Sequence, residues 1–136
     1  MTTELSALTF AVLLQVVAIA IAGAQMNREL GPRYNAGPRD STPGMSPLLG
    51  RLRRAVANGF EGLALFAPMI LVVTLADKTS ALTAFAAWAY VAARAAYIPA
   101  YALGLAPWRS LIWLISLIAI LALAAVALFG PAPAGA

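Results

Sequence analysis

Six polar residues at helical spacing form a candidate ligand site within two otherwise apolar segments. They are Arg54, Asn58 and Glu61 in one segment and Arg94, Tyr97 and Tyr101 in the next. At 100° per residue each trio falls within about 60° of the helix circumference, so each helix would present one polar stripe. With Arg51 at the edge of the first stripe, three arginines face a single glutamate. Because a guanidinium fork binds carboxylates bidentately, the pattern favours a carboxylate-bearing ligand.

A structural role for these charges is an equally open interpretation. Glu61 and Arg94 could neutralise each other, while Asn58 and the tyrosine hydroxyls satisfy backbone groups between helices. Arg51 and Arg53 could instead bind anionic lipid headgroups. Since an intramembrane charge costs at least a few kcal/mol unless it is paired, either interpretation requires partners for the charged groups.

The composition excludes several kinds of chemistry. There is no Cys and no His, so we expect no thiol nucleophile, no histidine base, and no metal or haem bound through those residues. The chain is 62% hydrophobic and 10% charged, against about 25% charged in soluble domains. Six of the nine basic residues lie from Arg28 to Arg54, between two apolar segments. This placement favours a membrane surface or an anionic ligand over a nucleic acid.

The apolar segments predict an all-α fold, a single four-span membrane domain over residues 1–136. The expected helices cover about 5–26, 51–76, 81–105 and 108–129, with a polar loop over 27–50. Short second and third connections imply antiparallel neighbours and therefore an up-down four-helix bundle. Because most arginines lie in the first loop, the positive-inside rule makes that loop cytoplasmic and puts both termini outside.

Folding the hairpin at residues 77–80 brings the two polar stripes together. In an antiparallel pair, residues whose numbers add to the same total lie at equal depth. The pairs are Glu61 with Arg94, Asn58 with Tyr97, and Arg54 with Tyr101. Arg94 lies 13 residues beyond Ala81, roughly 20 Å at about 1.5 Å per residue. The six residues should therefore form three layers on the cytoplasmic side of the bilayer.

At these residues the sequence resembles the MAPEG superfamily, the membrane-associated proteins in eicosanoid and glutathione metabolism. The string Arg54-Ala-Val-Ala-Asn58-Gly-Phe-Glu61, followed by Phe66-Ala-Pro68, is similar to the second-helix signature of the family, and Arg94-Ala-Ala-Tyr97-Ile-Pro-Ala-Tyr101 is similar to its third helix. The loop Gly37-Pro38-Arg39-Asp40 is similar to that of bacterial-type members, which implies the bacterial inner membrane.

The resemblance implies a homotrimer that binds glutathione between protomers near the cytoplasmic side. Arg54 would hold a glutathione carboxylate, and Asn58 and Glu61 its polar backbone. The other implied ligand contacts are Arg94, Tyr97, Tyr101, Arg28 at the end of the first helix, and Arg51. Glutathione would supply the thiol that the chain lacks. The expected activity is that of a glutathione transferase or peroxidase on lipophilic electrophiles or lipid hydroperoxides that enter from the surrounding lipids.

Two other functions compete with this one. A non-catalytic MAPEG-like subunit of a larger membrane complex, or a lipid-binding trimer, would keep the scaffold without thiolate activation. Small drug/proton exporters also have four helices, but they depend on an acidic residue in the first span, where this chain has only Glu4 at the outer end. Copurification with a complex, without affinity for glutathione, would favour the subunit.

The sequence departs from the family pattern at two positions. Several conjugating members carry a thiolate-stabilising arginine about two turns after the second pocket tyrosine, and here that spacing gives Trp108, with Arg109 next. Arg109 is therefore the candidate catalytic residue, although its position beside Trp108 favours an interfacial anchor. Gly62 stands where some members have an aromatic residue. Trp88 and Tyr90 are expected to pack against neighbouring helices.

Overall fold

The structure, a computed structural model, describes residues 1–41 and 43–131, and these ranges contain five helices. They are α1 (Thr3–Leu30), α2 (Pro32–Ala36), α3 (Pro47–Leu75), α4 (Ala81–Ala102) and α5 (Ala106–Phe129). Within the described residues, all but the short α2 are long and apolar enough to cross a membrane. The expected all-α fold with four membrane-spanning segments is confirmed. The predicted domain also includes Thr42 and residues 132–136, which lie outside the described residues.

Serine caps fix where the two site-bearing helices begin. The Ser46 hydroxyl accepts a hydrogen bond from the Leu49 N–H at 3.1 Å, and Pro47 occupies the first position of α3. Ser80 forms a capping box with Thr83: its hydroxyl accepts from the Thr83 N–H at 3.3 Å, and the Thr83 hydroxyl accepts from the Ser80 N–H at 2.7 Å. These bonds satisfy amide groups that a helix leaves free at its start.

The first connection is shorter than the sequence predicts. The expected loop was 27–50, but α1 continues to Leu30 and α3 begins at Pro47. Apolar composition marks only the membrane part of a helix, whereas the hydrogen-bonded helix can continue into water. Glu29 in the last turn of α1 accepts hydrogen bonds from the Ser46 hydroxyl and, at 3.1 Å, from the Ser46 N–H. This contact holds the start of α3 against the end of α1.

The turn between α4 and α5 also begins earlier than the predicted boundary at residue 105. Helix α4 ends at Ala102, and Gly104 has a φ of 71°, a left-handed conformation that favours glycine. Arg51 donates from Nε to the Ala102 carbonyl at 3.0 Å. The guanidinium thus binds one of the carbonyls left free at the helix end, where a positive charge is favourable.

Helix α4 is the central element of the bundle. Like α3, it packs against all three other long helices, whereas α1 and α5 do not pack against each other in the described part of the chain. It is also the most buried long helix, because 44% of the residues in its apolar stretch are buried, against 22–28% in the other long helices. The largest fully buried side chains are Tyr90, Phe66, Leu49, Ile70 and Leu123. Most of the remaining core is alanine, which lets the helix backbones approach closely, as in other membrane bundles.

The outer surface of the bundle is apolar. Exposed side chains include Phe10, Leu65, Phe85, Leu121 and Leu128. In water such a surface would be an aggregation hazard, but in a bilayer it faces hydrocarbon. The fold therefore fits direct contact with membrane lipid.

Candidate functional site

An open pocket of about 650 Å³ lies on the face formed by α3, α4 and α5. Its polar residues are Arg54, Asn58 and Glu61 from α3, Tyr97 and Tyr101 from α4, and Arg109 and Ser110 from α5. Ala57, Trp113 and Leu114 supply apolar wall. The volume lies within the range of small-molecule sites, about 300–1,000 Å³. The pocket therefore has the size and the polar groups to bind a small polar ligand.

The two polar stripes meet across the α3–α4 contact. Arg54 donates from Nε to the Tyr101 hydroxyl at 3.0 Å, a contact between two residues that the hairpin pairs at equal depth. Tyr97 and Tyr101 are 4% and 8% exposed, and their rings meet edge-on at 5.5 Å between centroids. Both rings pack with Ala55 in a small apolar cluster. Because the rings are buried, the hydroxyls are held in fixed positions at the pocket wall.

Arg94 lies behind this wall. Its Nη1 donates to Asn58 Oδ1 at 3.0 Å, and Asn58 Nδ2 donates to Glu61 Oε2 at 3.3 Å. The Arg94 guanidinium also stacks over the Tyr97 ring, 4.7 Å from its centroid. Arg94 is only 8% exposed and does not line the pocket. Arg94 thus binds Asn58 and does not form the ion pair with Glu61 that was considered above. Asn58 connects the buried guanidinium of Arg94 to the exposed carboxylate of Glu61.

Arg109 reaches the pocket from α5. Its guanidinium lies 4.8 Å from the centroid of the Tyr101 ring, which Arg54 approaches to 5.9 Å. Trp108, the neighbour beside which Arg109 could have served as an anchor, is 61% exposed on the bundle surface. Arg109 therefore faces the same tyrosine as Arg54, although the family spacing falls on Trp108, one residue earlier.

The electrostatics of the pocket favour an anion. Arg54 and Arg109 converge on Tyr101 while Glu61, the one carboxylate in the lining, is bonded to Asn58. Like charges in proximity repel, and a low-dielectric setting strengthens this repulsion. An anionic group between the two arginines would relieve it, and the guanidinium geometry suits a carboxylate.

Besides Arg94, two predicted ligand contacts lie outside the pocket of a single protomer. Arg51 binds the Ala102 carbonyl at the end of α4. Arg28 is exposed in the last turn of α1, and no residue of α1 lines the pocket. Neither arginine is brought to the other site residues within this chain.

Sequence reasoning missed the contribution of α5. Ser110, Trp113 and Leu114 line the pocket together with Arg109. These four residues follow the spacing of one helix face, and that spacing could have revealed them. It also missed Gln15, a buried amide in α1 whose Nε2 donates to the Val56 carbonyl at 2.9 Å. Its signal was a lone amide within an apolar segment.

In the described ranges no group of three or more His, Cys, Asp or Glu side chains could hold a metal ion. The polar groups that could hold a cofactor or co-substrate are those of the pocket. Their chemistry is that of carboxylate and amide recognition, since guanidinium, amide and hydroxyl donors dominate the lining.

Four membrane-spanning helices and this pocket define an all-α membrane protein with a candidate small-molecule site. The model of the MAPEG family matches residues 3–129, nearly the whole chain, so the protein belongs to the MAPEG family. At the level of the family, this means an integral membrane protein of glutathione-related transferase, peroxidase or related activity. No curated protein and no solved structure matches the chain.

Proposed function

We propose that the protein binds glutathione in the α3–α4–α5 pocket and uses it as co-substrate in transferase or peroxidase chemistry on lipophilic electrophiles. The observation that carries the proposal is the convergence of Arg54 and Arg109 on Tyr101, beside Asn58 and Glu61, in a pocket of about 650 Å³. Glutathione presents two carboxylates, an ammonium, amides and a thiol, and these complement the groups in the lining.

Each polar group has a proposed role. Arg54, fixed by its bond to Tyr101, binds a carboxylate of the tripeptide. Glu61 binds the ammonium, and Asn58 binds the amide backbone while its own amide stays oriented by Arg94. Tyr97 supports the pocket wall and the stacked Arg94.

Arg109 is the proposed activating group. A thiolate is a far better nucleophile than a thiol, and a nearby cation favours the thiolate. The bound thiolate then forms a carbon–sulfur bond with the electrophilic carbon of a lipophilic substrate, and the displaced leaving group departs with the electron pair of its bond. With a hydroperoxide it attacks the terminal oxygen, the O–O bond breaks, and the alcohol leaves after taking a proton from water. The resulting glutathione sulfenic acid is reduced by a second glutathione to the disulfide and water. The protein needs no cysteine of its own because the ligand supplies the sulfur. No metal or haem takes part in this proposal.

The proposed assembly is a homotrimer in the bacterial inner membrane, with both termini outside and the loop between α1 and α3 cytoplasmic. The pocket is open on its lateral side, so a neighbouring protomer can cover it. In that arrangement Arg28 and Arg51 of this chain remain candidate ligand contacts for an adjoining pocket. Lipophilic substrates would enter from the surrounding lipids.

The test is calorimetric titration of the detergent-solubilised protein with glutathione. We expect saturable binding by the natural protein and a loss of at least tenfold in affinity for Arg54→Ala, since a bond between a charged pair contributes about 1.5–3 kcal/mol. Arg53→Ala is the matched control: Arg53 is the next residue, is exposed, and contacts Met45 at 3.2 Å outside the pocket. Equal losses in both variants, or no binding by a folded natural protein, would contradict the proposal.

A lipid-binding trimer or non-catalytic subunit of a larger membrane complex is the second candidate. It is favoured by a further open cavity of about 560 Å³ beside the start of α3, bordered by Arg53 and Arg54. Arginines at a membrane surface attract anionic headgroups. Binding to vesicles that contain anionic lipid, weakened by Arg53→Ala and insensitive to glutathione, would make this the leading function.

A further inference from the structure

A second, smaller chamber of about 110 Å³ opens beside the main pocket. It lies among α3, α4 and α5 and shares Asn58, Glu61 and Trp113 with the pocket. Leu65, Leu117 and Ile120 supply apolar wall, and the hydroxyl of Ser116, which also lines the chamber, already donates to the Trp113 carbonyl. The chamber thus extends the polar pocket toward the apolar interior of the bundle.

Tyr90 supplies a hydrogen-bond donor to this chamber. The residue is 1% exposed, and its ring stacks on Phe66 at 3.9 Å with a 10° interplanar angle. In the described part of the chain its hydroxyl forms no hydrogen bond, and it reaches the chamber instead of being sealed in the core. Buried tyrosine hydroxyls normally find a partner, because an unsatisfied polar group costs about 1–3 kcal/mol. The hydroxyl is therefore available to a bound molecule.

Gly62 makes the hydroxyl accessible. A Cβ at this position would lie 2.8 Å from Tyr90 Oη and 3.5 Å from Arg94 Cζ. Any larger side chain at residue 62 would cover the hydroxyl or displace the ring. The glycine therefore opens the floor of the chamber between α3 and α4.

The size and polarity of the chamber limit what can enter. An apolar cavity of about 150 Å³ holds benzene, so 110 Å³ suits a smaller group such as the short end of an alkyl or alkenyl chain. Arg94 at its edge is already bonded to Asn58. Burying a further ion against leucine and isoleucine would be costly, which favours a neutral molecule.

We propose that this chamber binds the apolar end of a small neutral molecule that carries an oxygen acceptor, with the Tyr90 hydroxyl donating to that oxygen. Ketones, aldehydes, epoxides and hydroperoxides share this chemistry. The inference rests on the proposed function in that this molecule is the second substrate beside the thiol. It assigns the lipophilic partner to the interior of one protomer, behind Gly62.

The test is ligand-observed NMR of the full chain in detergent with 2-pentanone as an unreactive probe and n-pentane as its oxygen-free counterpart. Tyr90→Phe keeps the ring stack and removes the hydroxyl, so ketone affinity should fall about two- to tenfold, the range of one neutral hydrogen bond. The affinity for n-pentane should not change. Leu117→Phe should fill the chamber and abolish binding of both probes.

The matched control is Leu121→Phe, on a face of α5 where the side chain is 58% exposed; its probe binding should equal that of the natural protein. Should Leu117→Phe fail to fold, Leu117→Ala should instead admit bulkier ketones. Unchanged ketone binding in Tyr90→Phe, or in a folded Leu117→Phe, overturns the proposal. The probes need no glutathione. A protein that binds the ketone but not glutathione would therefore contradict the proposed function and still support the proposed chamber.

Discussion

Two guanidinium groups, those of Arg54 and Arg109, flank the ring of Tyr101 at 5.9 and 4.8 Å. They reach it from different helices and in different ways. Arg54 is held by a hydrogen bond to the tyrosine hydroxyl, whereas Arg109 contacts the ring face. The first geometry suits a fixed ligand contact, and the second leaves the guanidinium donors free for another group. Substitution of each arginine should therefore affect a different step.

We predict that Arg109→Ala slows glutathione conjugation about 10²–10³-fold, the effect of removing one transition-state donor, while glutathione affinity falls less than in Arg54→Ala. The cause is a smaller fraction of bound thiolate. Thiolate absorbance and conjugation of a model electrophile measure the two effects. Arg109→Lys, which keeps the charge without the fork, should retain part of both. Undiminished thiolate in Arg109→Ala would assign this residue to anchoring beside Trp108.

At this scale, the sequence predicted the pair Arg54–Tyr101 because antiparallel depth depends only on residue number and turn position. It did not predict that Asn58 would bind Arg94, because this hydrogen bond joins residues of two neighbouring layers and the depth argument pairs residues only within a layer. It named Arg109 as a catalytic candidate but could not derive its orientation toward the pocket, because the turn around Gly104 sets the rotation of α5 and a short turn has no periodicity.

Helices α1 and α3 pack closely at Gly59, where the absence of a side chain leaves room for Gln15. A Cβ at Gly59 would collide with the Gln15 amide, which lies there because its Nε2 binds the Val56 carbonyl. Gln15 and Arg94 both border a cavity of about 20 Å³ at this contact, roughly the space of a single water molecule. The α1–α3 contact therefore lies directly behind the residues that orient the pocket.

We predict that Gly59→Ala destabilises the folded protein by about 1–3 kcal/mol, the usual cost of overpacking, although alanine favours helix. Gly23→Ala is the control, since a Cβ there would meet no atom within 4 Å; it should be neutral or stabilise by up to about 1 kcal/mol. Thermal unfolding in detergent measures both. Adding Gln15→Ala should recover part of the loss, and equal stabilities of both glycine variants would exclude the steric account.

The helices themselves were predictable, because hydropathy reports which stretches must satisfy their backbone internally in lipid. Their ends were less so. Helix α1 ends at Leu30 and α3 begins at Pro47, both in polar sequence, where hydropathy does not distinguish a helix from a loop. The Ser46 cap and its bonds to Glu29, not apolar composition, determine that boundary.

For the whole molecule, the open side of the pocket is the feature that bears on assembly. Glu61 and Trp113 border the pocket and remain exposed in the isolated protomer, as does Phe60 on the neighbouring surface. An exposed carboxylate on a lateral face is poorly matched to lipid alone. A second copy of the chain on this face would shield it from the bilayer.

We predict that the solubilised protein has a mass three times the 14.1 kDa of the chain. Light scattering with correction for bound detergent measures it. Phe60→Arg should weaken the assembly by adding charge to the face, and Phe129→Arg, at the 85% exposed end of α5, is the control. A monomer with full glutathione affinity would show that one protomer suffices.

The three helices that build the pocket follow one another directly along the chain, from Pro47 to Phe129. The pocket therefore needs no element from outside this segment, although its contacts join residues far apart in sequence: Arg54 and Tyr101 are 47 positions apart, and Asn58 and Arg94 are 36. During synthesis the pocket can form as soon as α5 enters the bilayer, with no wait for a distant segment. Helix α1, made first, lies on the far side of α3 and α4, so its early insertion leaves the pocket face unobstructed.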